Sequence, residues 1–124
     1  MTEILNIIDT QLTEELGLNY EFGQMTKSPP TYPYWVGESS ESAPMTEDGL
    51  EEPTIILTGY SRNSFLELET QKETLKDRFK YGVSVITETG AAVVIFYDGA
   101  LNVPSDKADL KKCQVNLKIK LWKE

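Results

Sequence analysis

The sequence contains no histidine and only one cysteine, Cys113. Without histidine the chain cannot build the usual Ser–His–Asp or Cys–His catalytic arrangements, or a histidine metal site. One cysteine cannot form an internal disulfide or supply a zinc or iron–sulfur site within one chain. Because no histidine can activate it, we interpret Cys113 as a small buried residue rather than a nucleophile. These absences make an enzyme the least favoured class of function.

Glycine-rich phosphate loops are also absent, since neither GxGxxG nor GxxxxGK[ST] occurs. The acidic run TEDGLEEPT at residues 46–54 resembles a calcium loop in charge only. An EF-hand needs oxygen ligands at alternate positions and a glycine at its sixth position, which this run does not supply. Neighbouring carboxylates such as Glu51 and Glu52 point to opposite sides of an extended segment. We therefore predict no catalytic, cofactor-binding or metal-binding residues, and no cofactor.

Long hydrophobic runs are missing, and none approaches the ~20 residues that a membrane helix requires. The segment MTEILNIIDT has an acidic residue where a signal peptide would carry basic ones. We therefore expect a cytoplasmic protein with no membrane partner. The 124 residues and the 40% hydrophobic content predict a single domain, residues 1–124, with a real core.

Basic residues are scarce in the first half of the chain. Lys27 is the only one among residues 1–61, which hold eleven acids, whereas residues 62–124 hold eleven basic residues and nine acids. The net charge of −8 argues against nucleic acid as the primary partner, because its phosphates would repel the chain. The uneven division is either an ordinary solvated surface or a pair of oppositely charged sides suited to stacking on copies or on a complementary partner.

The hydrophobic spacing predicts two amphipathic helices, at residues 2–16 and 64–80. Gly17 is placed to end the first helix, and Ser64 with Glu67 matches a capping box at the start of the second. Alternating or continuous apolar runs predict strands at residues 32–39, 54–60, 91–97 and 113–123, and residues 83–87 could add a short one.

These elements predict an α+β fold in the order α-β-β-α-β-β, a two-layer sandwich with two helices packed on a mostly antiparallel four-stranded sheet. Residues 38–53 form a long acidic loop between the first two strands. A loop of this length either binds something or is disordered. In the last strand Lys118, Lys120 and Trp122 share a face that no helix is left to cover. We expect that face to be wet or to meet a partner.

The segments also resemble a known family. The helix TEILNIIDTQLTEEL is followed by a YPYWVG strand, a strand ending in GYSR, a capped helix and a final alternating strand. This pattern resembles the tail-terminator, or head-to-tail joining, proteins of long-tailed bacteriophages and prophages, and the related tail-completion and minor capsid proteins. The resemblance covers essentially the whole chain. It consists of the order of the elements and the residue composition of each segment, and it includes no catalytic motif.

The resemblance implies a structural role. Such proteins assemble as a ring, commonly hexameric, at the head-proximal end of the tail tube, where the ring stops tube polymerisation and docks the head connector. The implied partners are copies of the chain, a tail-tube protein and a head-connector protein. The implied location is the host cytoplasm during assembly and then the neck of the virion.

The predicted assembly interface combines aromatic residues near the first strand, acids of the 38–53 loop and the outer face of the last strand. Its members are Tyr34, Trp35, Glu47, Asp48, Glu51, Glu52, Lys118, Lys120 and Trp122. Aromatic residues such as Tyr34 and Trp35 are common in sheet cores and are also enriched at interfaces. The alternative function is a small non-catalytic ligand- or protein-binding α+β module of the host, which would need a pocket near Trp35 and Tyr97.

The acidic loop gives a first testable prediction. Replacing Glu47, Asp48, Glu51 and Glu52 together by their amides should leave the fold intact, because solvated carboxylates contribute little to stability. Virion yield should fall if these acids contact a neighbouring subunit or the tube. A plaque assay with circular dichroism of the purified variant measures both effects, and a normal yield would count against the loop's role.

Overall fold

The computed structural model describes residues 2–23, 26, 32–40, 50–62, 65–87, 90–103 and 110–122. Helix α1 spans Thr2–Asp9 and leads into a π-helical turn, Thr10–Glu15, called the π turn below; helix α2 spans Phe65–Phe79. The strands are β1 (Tyr20–Phe22), β2 (Tyr34–Ser40), β3 (Leu50–Glu51), β4 (Thr54–Arg62), β5 (Val83–Ile86), β6 (Ala92–Val103) and β7 (Leu110–Trp122).

All seven of the described strands belong to one mixed sheet, which curves into a half-barrel. The strand order is β1-β2-β4-β7-β6-β5, and the short β3 pairs with β7 beyond the end of β4. β1 runs parallel to β2, whereas the remaining pairs are antiparallel. Pro53 separates β3 from β4, and its carbonyl accepts a hydrogen bond of 3.0 Å from the Ile119 amide. β7 is therefore the central strand that the other long strands pair against.

The predicted fold class is wrong. The sheet has six strands in its main path and is mixed, where a four-stranded, mostly antiparallel sheet was expected. β1 falls in a stretch interpreted as a connector, where the alternation of Leu18, Tyr20 and Phe22 indicates at most a short extended piece and is too brief to define a strand. β3 lies inside the predicted 38–53 loop, β2 extends to Ser40, and residues 41–49 lie outside the described residues.

Strand β6 is longer than the strand predicted at residues 91–97. Asp98-Gly99 is a turn signal in sequence, but the strand continues through it to Val103. The pairing with β7 shifts register between Tyr97 and Gly99, and Gly99 has a φ of 134°. A glycine with positive φ also suits a β-bulge, which bends a strand without ending it. The strand therefore continues beyond Gly99, and the bulge bends the sheet at this point.

Both helices lie on one face of the sheet. α1 and the π turn bury Ile4, Ile8 and Leu12, with Leu18 following. The π turn is closed by the Leu16 amide, which donates to the Gln11 carbonyl over 3.1 Å. One extra residue in this turn leaves Leu12 buried and brings the Gln11 side chain into the interface as well.

α2 packs its buried stripe, Leu68, Leu75 and Phe79, against the same face of the sheet. Phe65 falls at the helical spacing of this stripe but is 42% exposed, so the buried side of the helix begins one turn later. The capping residue Ser64 lies outside the described residues. The six large aliphatic and aromatic side chains from the two helices thus cover one sheet face and leave the other without a helix in the described structure.

Trp35 is the largest fully buried side chain in the core. Its ring lies directly over Gly59, the residue paired with it across β2 and β4. A Cβ at position 59 would stand 2.7 Å from the Trp35 ring and 2.9 Å from a methyl of Leu68. The Trp35 indole Nε1 donates a hydrogen bond of 2.7 Å to Gln71 Oε1 on α2. Trp35 therefore joins β2, β4 and α2 through one close-packed contact.

Gly59→Ala should destabilise the protein by about 1–3 kcal/mol, because the added methyl overpacks a rigid contact between a ring and a strand backbone. Urea unfolding measures the change. In a Trp35→Phe background the smaller ring leaves room, so the same substitution should cost clearly less. An equal cost in both backgrounds would show that the ring contact does not set the constraint.

Two titratable side chains lie in the core and their pKa values are raised. Burial raises the pKa of Tyr20 from 10.0 to about 12, with a further contribution from Asp9. Burial also raises the pKa of the Cys113 thiol from 9.0 to about 11. Because each protonated form is favoured in the folded state, this stability is fully present below about pH 9 and is lost as pH rises toward 12.

Tyr20→Phe should therefore reduce the alkaline loss of stability. The Tyr20 hydroxyl is buried without a hydrogen-bond partner among the described groups, so its removal should not lower stability at pH 7. Urea unfolding at pH 7, 9, 10 and 11 measures the effect, with Cys113→Ala to isolate the thiol's share, which begins at lower pH. A steeper alkaline decline in Tyr20→Phe would contradict the assignment.

Candidate interaction surface

The sheet face away from the helices carries the side chains that alternate with the core positions. We call it the open face; it comprises the alternate positions of Tyr34–Glu38 in β2, Thr54–Arg62 in β4, Val94–Phe96 in β6 and Lys112–Trp122 in β7. Most of these side chains are half-buried by one another rather than by another layer. No described helix or loop packs across them, which leaves a broad surface available for contact.

A ladder of tyrosines crosses one end of the open face. Tyr34 and Tyr60 are cross-strand partners with stacked rings, 4.9 Å between centroids, and Tyr32 lies 5.3 Å from Tyr34. Arg62 lies 5.2 Å over the Tyr32 ring and donates a hydrogen bond of 3.2 Å to its hydroxyl. Lys112 lies 5.5 Å over the Tyr60 ring at the other end. The aromatic rings are thus flanked by cations on both sides.

Partial burial raises the pKa of both Tyr34 and Tyr60. Neighbouring tyrosines add to the shift at Tyr34, where Arg62 opposes it, and Glu38 adds to the shift at Tyr60. Both hydroxyls therefore stay neutral well above physiological pH. The ladder offers apolar ring area with neutral hydroxyl tips, a combination that is enriched in protein interfaces.

The other end of the open face carries lysines of β7. Lys118 forms an ion pair of 3.4 Å with Glu52, and both side chains are solvent-accessible. Lys120 lies 5.9 Å over the Phe96 ring. Trp122 ends the row and is 38% exposed. A cation over a ring makes a favourable contact without cancelling its charge, so this end also stays basic.

The open face carries both signs of charge. Its basic side chains are Arg62, Lys112, Lys118 and Lys120. Glu38 and Glu52 reach the same face. Asp98 follows Phe96 at the next alternate position of β6, and Glu21 of β1 pairs with Val36 at the sheet edge. The described bases and acids on this side of the sheet are therefore equal in number, four of each, on a chain whose formal net charge is −8.

The structure brings together part of the interface predicted from sequence. Tyr34, Lys118, Lys120 and Trp122 lie on the open face, and Glu52 joins them through its ion pair. Trp35 points the other way and is fully buried in the core, so it is not part of this surface.

The remaining predicted acids belong to the 38–53 stretch. Glu51 pairs with Leu121 through its backbone in β3. Glu47 and Asp48 lie outside the described residues, so their contact role stays a prediction.

Sequence reasoning missed Tyr60, Arg62 and Lys112. The alternation of β4 places Tyr60 and Arg62 on one face, and that of β7 places Lys112 with Lys118. The sequence did not show which strands pair. The register Tyr34↔Tyr60↔Lys112 places these residues of β2, β4 and β7 next to one another.

A cleft of about 310 Å³ lies between the first helix and β5. Its walls include Ile7, Thr10, Gln11, Val85 and Ile86. Gln11 Oε1 accepts two hydrogen bonds from Arg78, which fixes the amide at the cleft wall and satisfies that oxygen. The cleft is distinct from the pocket expected near Trp35, a residue that the core encloses completely.

The described residues contain no group of three or more His, Cys, Asp or Glu side chains placed to hold a metal ion. None of the helices described above is long and apolar enough to cross a membrane. No protein-family model matches the chain, and no curated protein matches it.

Proposed function

We propose that the protein is a structural subunit of the head–tail neck of a long-tailed bacteriophage or prophage, a tail terminator or tail-completion protein that assembles as a ring. It acts by binding protein, and the open face is its principal contact surface. The observation that carries this proposal is a broad sheet face of stacked tyrosines and lysines that no described element covers.

The composition of the open face supports protein contact. Tyr, Trp and Arg are the residues most enriched at the energetic centres of protein interfaces. Tyr34, Tyr60 and Arg62 are already held in place by ring contacts, so little side-chain entropy would be lost on binding. Trp122 at the end of β7 supplies exposed apolar area.

The fold does not add to the family resemblance. The α-β-β-α-β-β order expected from the sequence is not the arrangement found, because the sheet is larger and mixed. The proposal therefore depends on the resemblance in sequence, on the difference in charge between the two halves of the chain and on the open face. The location in the virion and the identity of the tube and connector partners belong to the same proposal.

Deletion and complementation in the phage or prophage that encodes the chain tests this function. Loss of the protein should give filled heads separated from tails, or tails of uncontrolled length, in electron micrographs. A plasmid copy of the wild type should restore joined particles, and so should the control Lys76→Glu/Lys80→Glu on α2. The open-face variant Lys112→Glu/Lys120→Glu should not. Normal joined particles from the deletion strain would overturn the proposal.

A small ligand-binding module of the host is the second candidate, and the 310 Å³ cleft is the observation that favours it. Its walls are mixed, with Ile7 and Val85 beside Thr10 and Gln11. A metabolite screen by thermal shift tests it. A ligand whose stabilisation disappears in Thr10→Trp, which fills the cleft, would support a binding role.

A further inference from the structure

Strand β5 forms one edge of the sheet and leaves part of its backbone unpaired. It lies at the end of the strand order, and β6 is its only neighbour among the described strands. The Thr87 amide donates to the Ala91 carbonyl over 2.9 Å, and the pairing continues from there along both strands in one register. Since the backbone groups of an antiparallel strand alternate in direction, Ser84 and Ile86 direct their N–H and C=O groups away from β6.

This edge lacks the charges, prolines and bulges with which many edge strands prevent a further strand from adding. The sequence of β5 is VSVI, and its register with β6 is regular. Ser84 is exposed to solvent, and the Ile86 side chain is 70% exposed. An edge of this kind is a template for an additional strand.

The cleft of about 310 Å³ lies beside this edge, on the helix side of the sheet. Val85 lines it from that side, because its cross-strand partner Val93 is buried in the core. Ile7, Thr10 and Gln11 form the facing wall, and none of the described lining side chains is charged. In a strand added next to β5, the residue opposite Val85 would direct its side chain to the same side of the sheet. That side chain would enter the cleft.

We propose that β5 binds an extended segment of a partner protein as an additional antiparallel strand. The segment pairs its backbone with Ser84 and Ile86 and places one large, uncharged apolar side chain in the cleft. Strand addition takes its affinity from main-chain hydrogen bonds and its selectivity from pockets for alternate side chains. The antiparallel direction is favoured because parallel pairing is slightly less stable per residue. This site is separate from the open face and goes beyond the proposed neck function.

The size of the cleft favours a partner protein over the β5 strand of a second copy. Two β5 strands centred on Val85 would each offer the other a valine. Valine has a short side chain and would leave most of a 310 Å³ cleft unfilled. Unfilled space next to apolar atoms forfeits the contacts that packing supplies. A segment with a longer apolar side chain at this position makes the fuller contact.

A designed peptide added to the full chain tests the proposal. The probe is the acetylated and amidated peptide KVTLTVK, in which the central leucine faces the cleft and the two neighbouring threonines pair with β5. Two matched controls each carry one backbone N-methyl group. On the first threonine this group removes an amide hydrogen that faces β5, whereas on the leucine it removes one that faces away. A further probe replaces the leucine by aspartate.

Substitutions in the protein test the same contact from the other side. Ser84→Pro removes an outward-facing amide, a position at which an edge strand tolerates proline, and Ser84→Ala is its matched control. Thr10→Trp fills the cleft. Circular dichroism and thermal unfolding establish that each variant is folded. The N-methyl probes test the backbone contact on the wild-type protein, so the test does not depend on the variants alone.

Fluorescence anisotropy of the labelled probes measures binding, and amide hydrogen exchange followed by NMR locates it. The leucine peptide and its leucine N-methyl form should bind and should slow exchange at the Ser84 and Ile86 amides. The threonine N-methyl form and the aspartate probe should each bind with a Kd raised by about tenfold or more. Ser84→Pro and Thr10→Trp should weaken binding of the leucine peptide to a similar extent, and Ser84→Ala should not.

The proposal is wrong if the leucine peptide does not bind, if the two N-methyl forms bind equally, or if Ser84→Pro binds as tightly as Ser84→Ala. Sedimentation velocity of the wild type without peptide tests the second copy as the occupant. Self-association that Ser84→Pro abolishes would place a second copy at the edge and would also overturn the proposal. None of these outcomes decides the neck assignment, which the deletion experiment tests.

Discussion

The packing of Trp35 on Gly59 is the contact on which the rest of the structure depends. It holds β2 against β4 and, through the hydrogen bond to Gln71, fixes α2 on the same side of the sheet. Since side chains alternate along a strand, placing Trp35 in the core places Tyr34 on the opposite face. The orientation of Tyr34 sets the position of the tyrosine ladder, because Tyr34 pairs with Tyr60, and Tyr60 pairs with Lys112. The core contact therefore also determines which side chains of β2 and β4 lie on the open face.

The sequence predicted local structure better than assembly of the sheet. The periodicity of α1 and α2 and the strict alternation of β7 correspond to elements of the structure, because each is encoded in a continuous stretch of side chains. The bulge at Gly99 and the parallel pairing of β1 were not predictable in this way. Both depend on contacts between segments far apart in sequence, and they turned an expected four-stranded sandwich into a mixed half-barrel.

The candidate surface was predictable to a similar extent. Lys118, Lys120 and Trp122 could be placed on an uncovered face from the alternation of one strand. The stacking of Tyr34 on Tyr60, with Arg62 and Lys112 at the ends, required the register of three strands. Both amphipathic helices pack on the same side of the sheet, so the second face, with its rings and lysines, is left without a covering layer in the described structure.

The proposed role, binding of protein through the open face, should be visible as protection of that face on assembly. Lysine acetylation followed by mass spectrometry, on the free protein and on assembled particles, measures this directly. The account predicts that Lys112, Lys118 and Lys120 lose reactivity on assembly while Lys76 and Lys80 on α2 keep theirs. Unchanged reactivity of the three β7 lysines in assembled particles would contradict the account.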